Sequence, residues 1–178
     1  MTDDRTKLAI ERVGEDAIRF ERMIDAPVET VWRYLADAEL RGKWFAAGEA
    51  EPRVGGTITL VFDHDDLSTD EVPYPEAYAP YKGATGRETI TRWEPPHVLA
   101  FTFEGSGEAL FELSAEGERT RLVLTHSGIA KPEMFANFGG GWHSHLAVLQ
   151  SLFGGEPVRD FWALHARSEV AVKEALGV

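Results

Sequence analysis

The sequence predicts an α+β fold, with about six or seven antiparallel strands packed against a long helix near the C-terminus. Residues 48–127 carry most of the strand signals, because apolar and polar residues alternate there with a period of two. Helical spacing of apolar residues dominates after Gly128. One predicted strand and one helical stripe precede the sheet region, and this order of elements is typical of a sheet with a helix across one face.

The first elements are predicted over residues 17–44. Residues 17–24 alternate between apolar and polar side chains, which favours a half-buried strand. Residues 28–35 hold apolar residues at helical spacing, and residues 37–44 predict a second short helix or turn. Before them, residues 1–15 carry mixed charges without a clear period, so a flexible tail or a short edge segment is expected.

The strand region contains five alternating runs and one long irregular segment. Gly55 and Gly56 indicate a hairpin turn between a weak strand and the first of these runs. Residues 63–82 show little periodicity, and long loops in compact domains often form lids or mouths of binding sites. The residues predicted to share the inward face of four of these runs are Ile58, Leu60, Phe62, Leu99, Phe101, Phe103, Ala109, Phe111, Leu113, Leu122, Leu124 and His126.

Two helices are predicted at the C-terminal end. The long helix ends before the pair Gly154–Gly155, a common stop signal, and a further helix is expected over residues 157–176. These boundaries divide the chain into a tail at residues 1–15, a main domain at residues 16–154 and an extension at residues 155–178. The apolar face of the long helix consists of Trp142, Leu146, Leu149 and Phe153.

Composition and charge exclude several classes of protein. The chain has 178 residues and a formal net charge of −12, so phosphate backbones and anionic membrane surfaces repel it. It has no cysteine, which excludes disulfides, zinc–thiolate sites, iron–sulfur clusters and cysteine nucleophiles. The sequence shows neither a spanning apolar run nor an apolar leader, so we expect a soluble cytoplasmic protein that binds neither nucleic acid nor membrane.

Several segments, in this order, resemble the START-like superfamily, also known as the SRPBCC, Bet v 1-like or helix-grip superfamily. They are IDAPVETVWRYLAD, EPRVGGTITLVF, TRWEPPHVLAFTF, and LTHSGI followed by GGGWHSHLAVLQSL. The branch that they resemble most is the one similar to the activator of heat-shock-protein ATPase, and the likeness covers about residues 16–154. It implies a curved antiparallel sheet that grips the long C-terminal helix, with a cavity between them. Members of the superfamily bind lipids, hormones or polyketides, and some catalyse reactions, so the resemblance implies no single chemistry.

The lining of that cavity is expected from the inward faces of the sheet and of the long helix. A mostly apolar space with a few polar groups is the usual form of a small-molecule site. The same side chains also suit an ordinary filled core, and both interpretations remain open at this point. The candidate lining residues are Phe62, Phe101, Phe103, Phe111, Leu124, His126, Trp142, His145, Leu146 and Leu149, with Trp44 and Tyr81 at the rim.

Three histidines bear on possible chemistry. His126 lies on the apolar face of the last strand, where it could orient a ligand, act as a general base, or be satisfied by a neighbouring carbonyl or hydroxyl. His143 and His145 are two helical positions apart and point to opposite sides, so they do not form a chelating pair. His145 could instead meet His126 across the gap between helix and sheet. The acidic residues at 63–70 lack the spacing of a calcium-binding loop, so they indicate a solvated loop, with weak binding of a divalent cation as the alternative. No cofactor, metal centre or complete catalytic set is predicted.

Three functions remain as alternatives. The first is binding of a small hydrophobic molecule between sheet and long helix, with the 63–82 loop as a gate. The second, implied by the resemblance alone, is a co-chaperone role in the stress response, with a heat-shock ATPase as partner. The third is an enzyme of the cyclase or hydrolase kind that uses a histidine in the cavity. Three residues of the last helix need cover, and either a homodimer through this helix or packing on their own domain could supply it: Phe161, Trp162 and Leu164.

Overall fold

The computed structural model describes residues 10–105 and 107–178. The strands are β1 (Ile10–Val13), β2 (Ala17–Ile24), β3 (Thr57–Val61), β4 (Thr85–Glu94), β5 (Val98–Thr102), β6 (Glu108–Glu116) and β7 (Arg119–Ser127). The helices are α1 (Val28–Ala36), α2 (Ala38–Gly42), α3 (Pro132–Ser151) and α4 (Phe161–Leu176). The strands form one curved antiparallel sheet in the order β1-β2-β7-β6-β5-β4-β3. This arrangement confirms the predicted α+β class and the helix-grip architecture.

The sheet begins at one side with a short edge strand, β1. Its Ile10 pairs with Phe20 of β2 in antiparallel register. Residues 10–13 therefore form an edge segment, which was one of the two expectations for residues 1–15. Residues 1–9 lie outside the described residues.

Two short helices follow β2, as the sequence predicts. In α1 the helical stripe turns inward because its spacing places every member on one face. Asp37 then begins α2 by accepting a hydrogen bond from the Leu40 backbone N–H, which satisfies a donor that the first helical turn leaves unpaired. The buried residues of α1 are the predicted Val28, Val31, Trp32 and Leu35.

Arg41, near the end of α2, is a buried arginine that fixes the path of the chain after the helix. Only 1% of its surface is exposed. Its guanidinium donates to the carbonyl oxygens of Leu35 at 3.2 Å and Ala46 at 3.0 Å, and also to that of Gly48. Burial lowers the pKa of Arg41 to about 10, so the group still carries its charge at neutral pH. These bonds hold the turn that carries Trp44 into the core.

The connection between β3 and β4, residues 62–84, forms the long loop expected over residues 63–82, and we call it the loop segment. Its two ends are joined, because the Phe62 N–H donates to the Ala84 carbonyl at 2.9 Å. Between them lie two 3-10 turns, at His64–Leu67 and Ala79–Tyr81, and otherwise irregular chain. The chain between these ends leaves the sheet and packs against other elements.

The loop segment is bonded to the residues that lead into α4. The Thr69 N–H donates to the Val158 carbonyl at 2.9 Å, and the Asp70 N–H donates to the Arg159 carbonyl at 3.1 Å. One further bond joins the segment to the first residue of the helix, whose backbone N–H donates to the Ser68 hydroxyl. The loop segment and the start of α4 therefore belong to one packed unit.

The long helix α3 packs against the inner side of the sheet, and α4 packs on α3. Two glycines of α3 set the distance between the helices. A Cβ atom at Gly139 would lie 2.6 Å from Val172 Cγ1, and one at Gly140 would lie 2.6 Å from Glu169 Cγ. Among the described residues, neither these helices nor any other combines the length and apolar character needed to cross a membrane.

Candidate functional site

Four rings pack together between the sheet and α3, and we call them the ring layer: Phe45, Phe103, Phe111 and Trp142. The centre of the Trp142 ring lies 5.0 Å from that of Phe45, 5.2 Å from that of Phe103 and 5.8 Å from that of Phe111. All four side chains are buried. The space that the sequence assigned to a cavity is thus occupied here by rings in mutual contact.

Five of the remaining lining candidates face the same interior. Phe62 is half-buried and packs edge-on against Phe45, with 5.4 Å between the ring centres. The other four come from the sheet and from α3 and are almost fully enclosed, so they share the core with the ring layer. These four are Phe101, Leu124, Leu146 and Leu149.

The two residues expected at the rim lie at very different depths. Trp44 is 0% exposed, and its indole N–H donates to the Tyr34 carbonyl at 2.8 Å. It is therefore part of the core, because the carbonyl bonds of Arg41 turn this stretch of chain inward. Tyr81 is 64% exposed, on the second 3-10 turn of the loop segment.

His126 is held against the ring layer by Trp142. The indole N–H of Trp142 donates to Nδ1 of His126 at 3.0 Å. An indole nitrogen only donates, so Nδ1 of His126 carries no proton and the imidazole is neutral, with its proton on Nε2. The ring is fully buried, 4.5 Å from the centre of the Phe138 ring. His126 is thus a polar group with a fixed tautomer inside an aromatic environment.

His145 has the opposite tautomer. Its Nδ1 lies 2.8 Å from the backbone oxygen of Trp44, and a carbonyl only accepts, so Nδ1 carries the proton. Burial, reinforced by the nearby His64, lowers the pKa of His145 to about 3. The ring is therefore neutral at physiological pH, and its Nε2 is left as a lone-pair acceptor.

The structure does not bring His126 and His145 together as the sequence suggested, because each bonds to a different tryptophan. His143 points to the other side of α3 from His145, in agreement with the helical geometry, and its Nδ1 accepts from Arg22 Nη2 at 2.9 Å. Burial and the charge of Arg22 lower the pKa of His143 to about 4. Within residues 10–105 and 107–178, no group of three or more His, Cys, Asp or Glu residues is arranged to hold a metal ion.

A second aromatic group, which the sequence analysis missed, lies where the loop segment meets α4. His64 is at its centre, with its ring 4.8 Å from that of Trp162, 5.0 Å from that of Phe161 and 5.4 Å from that of His145. Tyr74 bonds to His64 twice, through the backbone N–H at 2.6 Å and through Nδ1 at 3.1 Å. We call the loop segment and α4 together the cover, because they meet the ring layer and His145 from outside.

The outer part of the cover is held by further ring contacts. Tyr78 stacks on Trp162 with 4.8 Å between ring centres and meets His165 edge-on at 5.4 Å. Phe161 is buried, and Trp162 and Leu164 are half-buried, so their own chain covers the first fully and the other two in part. The i, i+4 spacing of Phe161 and His165 indicates that both lie on one face of the helix. The spacing does not indicate that the loop segment packs against that face.

Burial also governs the charge state of the cover histidines. It lowers the pKa of His64 to about 4, with a further contribution from His165, while Asp63 and Asp65 act in the opposite direction. It lowers the pKa of His165 as well, opposed by Glu169. Both rings are therefore neutral at pH 7 while the cover is in place.

Two surface depressions lie away from this interior, on the outer face of the sheet. One, of about 340 Å³, is lined by charged and polar residues that include Arg19, Glu112 and Arg121. The other, of about 250 Å³, lies beside β1 and shares Arg19 with the first. Arg121 is already paired with Glu21 there, at 2.6 Å. The larger depression mixes its charged residues with Val98, Leu113 and Val123, so it differs from the mostly apolar space that is usual for a small-molecule site.

Solved structures from several bacteria share this fold. A protein encoded by gene BPP1335 from Bordetella parapertussis is 42% identical with a TM-score of 0.78, over 92% of this chain and 88% of that one. CalU16 from Micromonospora echinospora is 22% identical with a TM-score of 0.65, over 96% of each chain. A structure described as the Aha1 dimer from Colwellia psychrerythraea is 18% identical with a TM-score of 0.59, over 78% of this chain and 96% of that one.

A search of curated proteins gives no significant match. The profile of one protein family matches residues 25–154, which span α1 to the end of α3 and contain both the ring layer and the loop segment. That family is described as Activator of Hsp90 ATPase homolog 1-like protein. The match extends over more than half of the chain, and the chain therefore belongs to this family.

Proposed function

We propose that the chain binds a small, apolar, ring-containing molecule between the sheet and α3. The observation that carries the proposal is the ring layer itself, with two neutral histidines of opposite tautomer beside it. An apolar space with a few oriented polar groups is the usual composition of a small-molecule site. Here His145 offers an acceptor nitrogen to such a molecule, while the rings offer edge-to-face and stacked contacts.

Binding requires one ring of the layer to move, because the rings now touch each other. Phe45 is the best placed to do so. It lies on irregular chain between α2 and β3, whereas Phe111 is on β6 and Trp142 is on a helix. Phe103 directly follows β5, and its N–H donates to the Gly107 carbonyl at 3.2 Å. Its ring also contacts Phe62 of the loop segment, so a rotation of Phe45 couples the interior to the cover.

The first test uses N-phenyl-1-naphthylamine, a neutral probe whose fluorescence rises in apolar surroundings. We expect saturable binding with a stoichiometry of one per chain, an increase in melting temperature, and quenching of tryptophan emission. Native mass spectrometry of the protein purified from its own host complements the titration, because a retained molecule would identify the natural ligand class. Absence of saturable probe binding would contradict the proposal.

A matched pair of variants locates the site. Ala109 is fully buried on β6, directly opposite Phe101 and His126 in the register, whereas Ala115 on the same strand is exposed. Ala109→Leu adds volume to the proposed site and is expected to weaken probe binding at least tenfold. Ala115→Leu makes the same chemical change outside and should leave binding unchanged. Equal affinities in the two variants would place the probe elsewhere.

A second candidate function is interaction with a heat-shock ATPase. It is favoured by the family description and by the name of the Colwellia structure. The test is co-purification of the chain with the Hsp90-type ATPase of its host, followed by an ATPase assay with and without added protein. A complex that raises the ATPase rate would support this role, and the absence of any complex would remove it.

A further inference from the structure

The cover meets the ring layer and His145 through three side chains, while the rest of α4 packs along α3. Phe62 contacts Phe45 of the ring layer at 5.4 Å, and Phe161 and His64 contact His145 at 5.0 and 5.4 Å. The hydrogen bonds between the loop segment and the chain before α4 make these contacts parts of one unit. If this unit moves outward, the ring layer becomes accessible from the side of His145.

We infer that the cover is a histidine-held latch over the proposed binding space, and that mildly acidic pH opens it by protonating His64 and His165. This inference rests on the proposed function, because the latch has a role only if a molecule enters. Its geometric basis is the position of His64, whose ring is surrounded by Trp162, Phe161 and His145 at about 5 Å. A charged imidazole at that position would lose most of its hydration.

The charged and titratable groups around each latch histidine determine the direction of the effect. His64 faces His145 on α3 and His165 on α4, and protonation of any one of them disfavours protonation of the others. On the loop segment itself Asp63 and Asp65 favour the charged form of His64. Desolvation exceeds this attraction, so the closed latch retains neutral histidines.

Lys82 of the loop segment reduces the attraction between these carboxylates and a protonated His64, and Tyr74 adds no attraction of its own. Lys82 is paired with Asp65, and its ammonium lies 5.4 Å from the centre of the Tyr74 ring, next to His64. One of the two carboxylates that favour the charged form of His64, that of Asp65, is therefore already paired. Tyr74 itself bonds to His64 and carries no charge at these pH values, since burial raises its pKa.

His165 has its own neighbours on the outer side of the latch. Its Nδ1 lies 3.9 Å from the Glu169 carboxylate, which opposes the effect of burial. Tyr78 of the loop segment covers its ring edge-on and stays neutral, because burial and Glu169 raise the tyrosine pKa. Protonation of His165 therefore weakens the closed state less than protonation of His64.

The pH window follows from the direction of the shifts. A histidine whose pKa is lower in the closed state favours closure fully above its solvated pKa, and this stability is lost as the pH falls toward the closed-state value. For His64 these values are 6.5 and about 4. Between pH 7.5 and pH 5, His64 alone therefore makes opening about 30-fold more favourable.

Hydrogen exchange of the full chain, followed by mass spectrometry at pH 7.5 and pH 5 and corrected for intrinsic exchange rates, measures this opening without any ligand. We expect the opening constants of residues 62–84 and of the start of α4 to increase about 30-fold and to exceed those of β6 and β7 at both pH values, because the cover opens while the sheet stays folded. Opening constants of the cover that equal those of the sheet at pH 5, or that do not rise between the two pH values, would overturn the inference.

Variants identify the group responsible. His64→Phe keeps an aromatic ring in place but cannot be protonated, so it should remove most of the pH response. His97→Gln is the control, because His97 is exposed directly before β5, where its Nδ1 bonds to the Leu113 backbone carbonyl and its side chain lines the larger depression on the outer face of the sheet. If His64→Phe does not fold, His165→Phe tests the same latch and should reduce the response. A full response in the folded variants would contradict the inference.

The rate of probe binding separates this inference from the proposed function. If N-phenyl-1-naphthylamine enters the wild-type protein faster at pH 5 in proportion to the opening constant, both stand. If the cover opens with pH but no probe binds, the latch stands and the proposed function fails. If the probe binds at a rate that pH does not change, the proposed function stands and the latch fails.

Discussion

Replacing Gly140 by alanine tests how closely α4 is held against α3. The new Cβ atom would lie 2.6 Å from Glu169 Cγ and 3.2 Å from the Cα and N atoms of the same residue. The Cγ atom can rotate away, but the backbone atoms can only move with the whole of α4. Gly141, the next residue of the same helix, has no atom within 4 Å of its ideal Cβ position and provides the matched control.

The expected change in the free energy of unfolding follows from two opposing effects. Alanine in a helix interior stabilises the helix by about 1 kcal/mol relative to glycine, and this gain applies at both positions. Forcing extra atoms into a close contact typically costs about 1–3 kcal/mol. Gly141→Ala should therefore raise the free energy of unfolding by about 1 kcal/mol. Gly140→Ala should lie about 1–3 kcal/mol below it, because helix propensity cancels in the comparison.

Urea unfolding at pH 7.5, followed by far-UV circular dichroism, measures both variants. Hydrogen exchange of α4 shows whether the loss is local to the helix contact. Equal free energies of unfolding, within about 0.5 kcal/mol, would refute the argument that Gly140 is required for close approach. If α4 exchanges as slowly in Gly140→Ala as in Gly141→Ala, the expectation that the larger side chain loosens α4 from α3 would be refuted.

Three further substitutions test the buried polar groups. Arg41→Met should lower the free energy of unfolding by about 3 kcal/mol, because it leaves several buried carbonyl oxygens without a donor. Trp142→Phe should cost about 1–3 kcal/mol, since Nδ1 of His126 loses its donor. The pKa of His143 is lower in the folded protein than in the unfolded chain, so the protein loses stability as the pH falls below 6.5. His143→Gln removes this contribution and should make the loss of stability on going to pH 5 smaller by up to about 2 kcal/mol.

Each of these has its own control, and urea unfolding is the measurement throughout. Arg41→Lys should recover part of the stability that Arg41→Met loses. A methionine variant as stable as wild type would contradict the stabilising role of the hydrogen bonds from Arg41 to the backbone carbonyls. A double-mutant cycle of Trp142→Phe with His126→Leu should show a coupling of about 1 kcal/mol, and additive losses would argue against the bond. For His143, an unchanged pH profile in the glutamine variant would show that acid sensitivity arises elsewhere.

The strands and helices could be predicted because their burial has a period that short stretches of sequence display. Residues 17–24 alternate and form β2, and the apolar spacing of Val28, Val31 and Trp32 forms α1. The opposite directions of His143 and His145 also follow from local helix geometry. These are properties of one element at a time, and they need no knowledge of its neighbours.

The candidate site depends instead on which elements meet. His64 stands in an acidic, irregular stretch that signals only a loop, and its contacts come from α3 and α4, far away in the chain. Trp44 is drawn inward by hydrogen bonds of Arg41 to backbone carbonyls, which every residue possesses and no motif marks. Whether rings line a space or fill it depends on side-chain packing, which the pattern of apolar residues does not contain.

The order of the strands has a consequence for how the protein acquires its structure during synthesis. Phe20 of β2 pairs with Leu124 of β7, so the centre of the sheet joins residues about one hundred positions apart. While the ribosome is still adding residues before Arg119, β1 and β2 can form only a two-stranded hairpin, which is marginal in water. Such long-range pairing slows folding and leaves apolar strand faces exposed to other chains. The time before β7 is synthesised is therefore when a chaperone would have the most exposed apolar surface to protect.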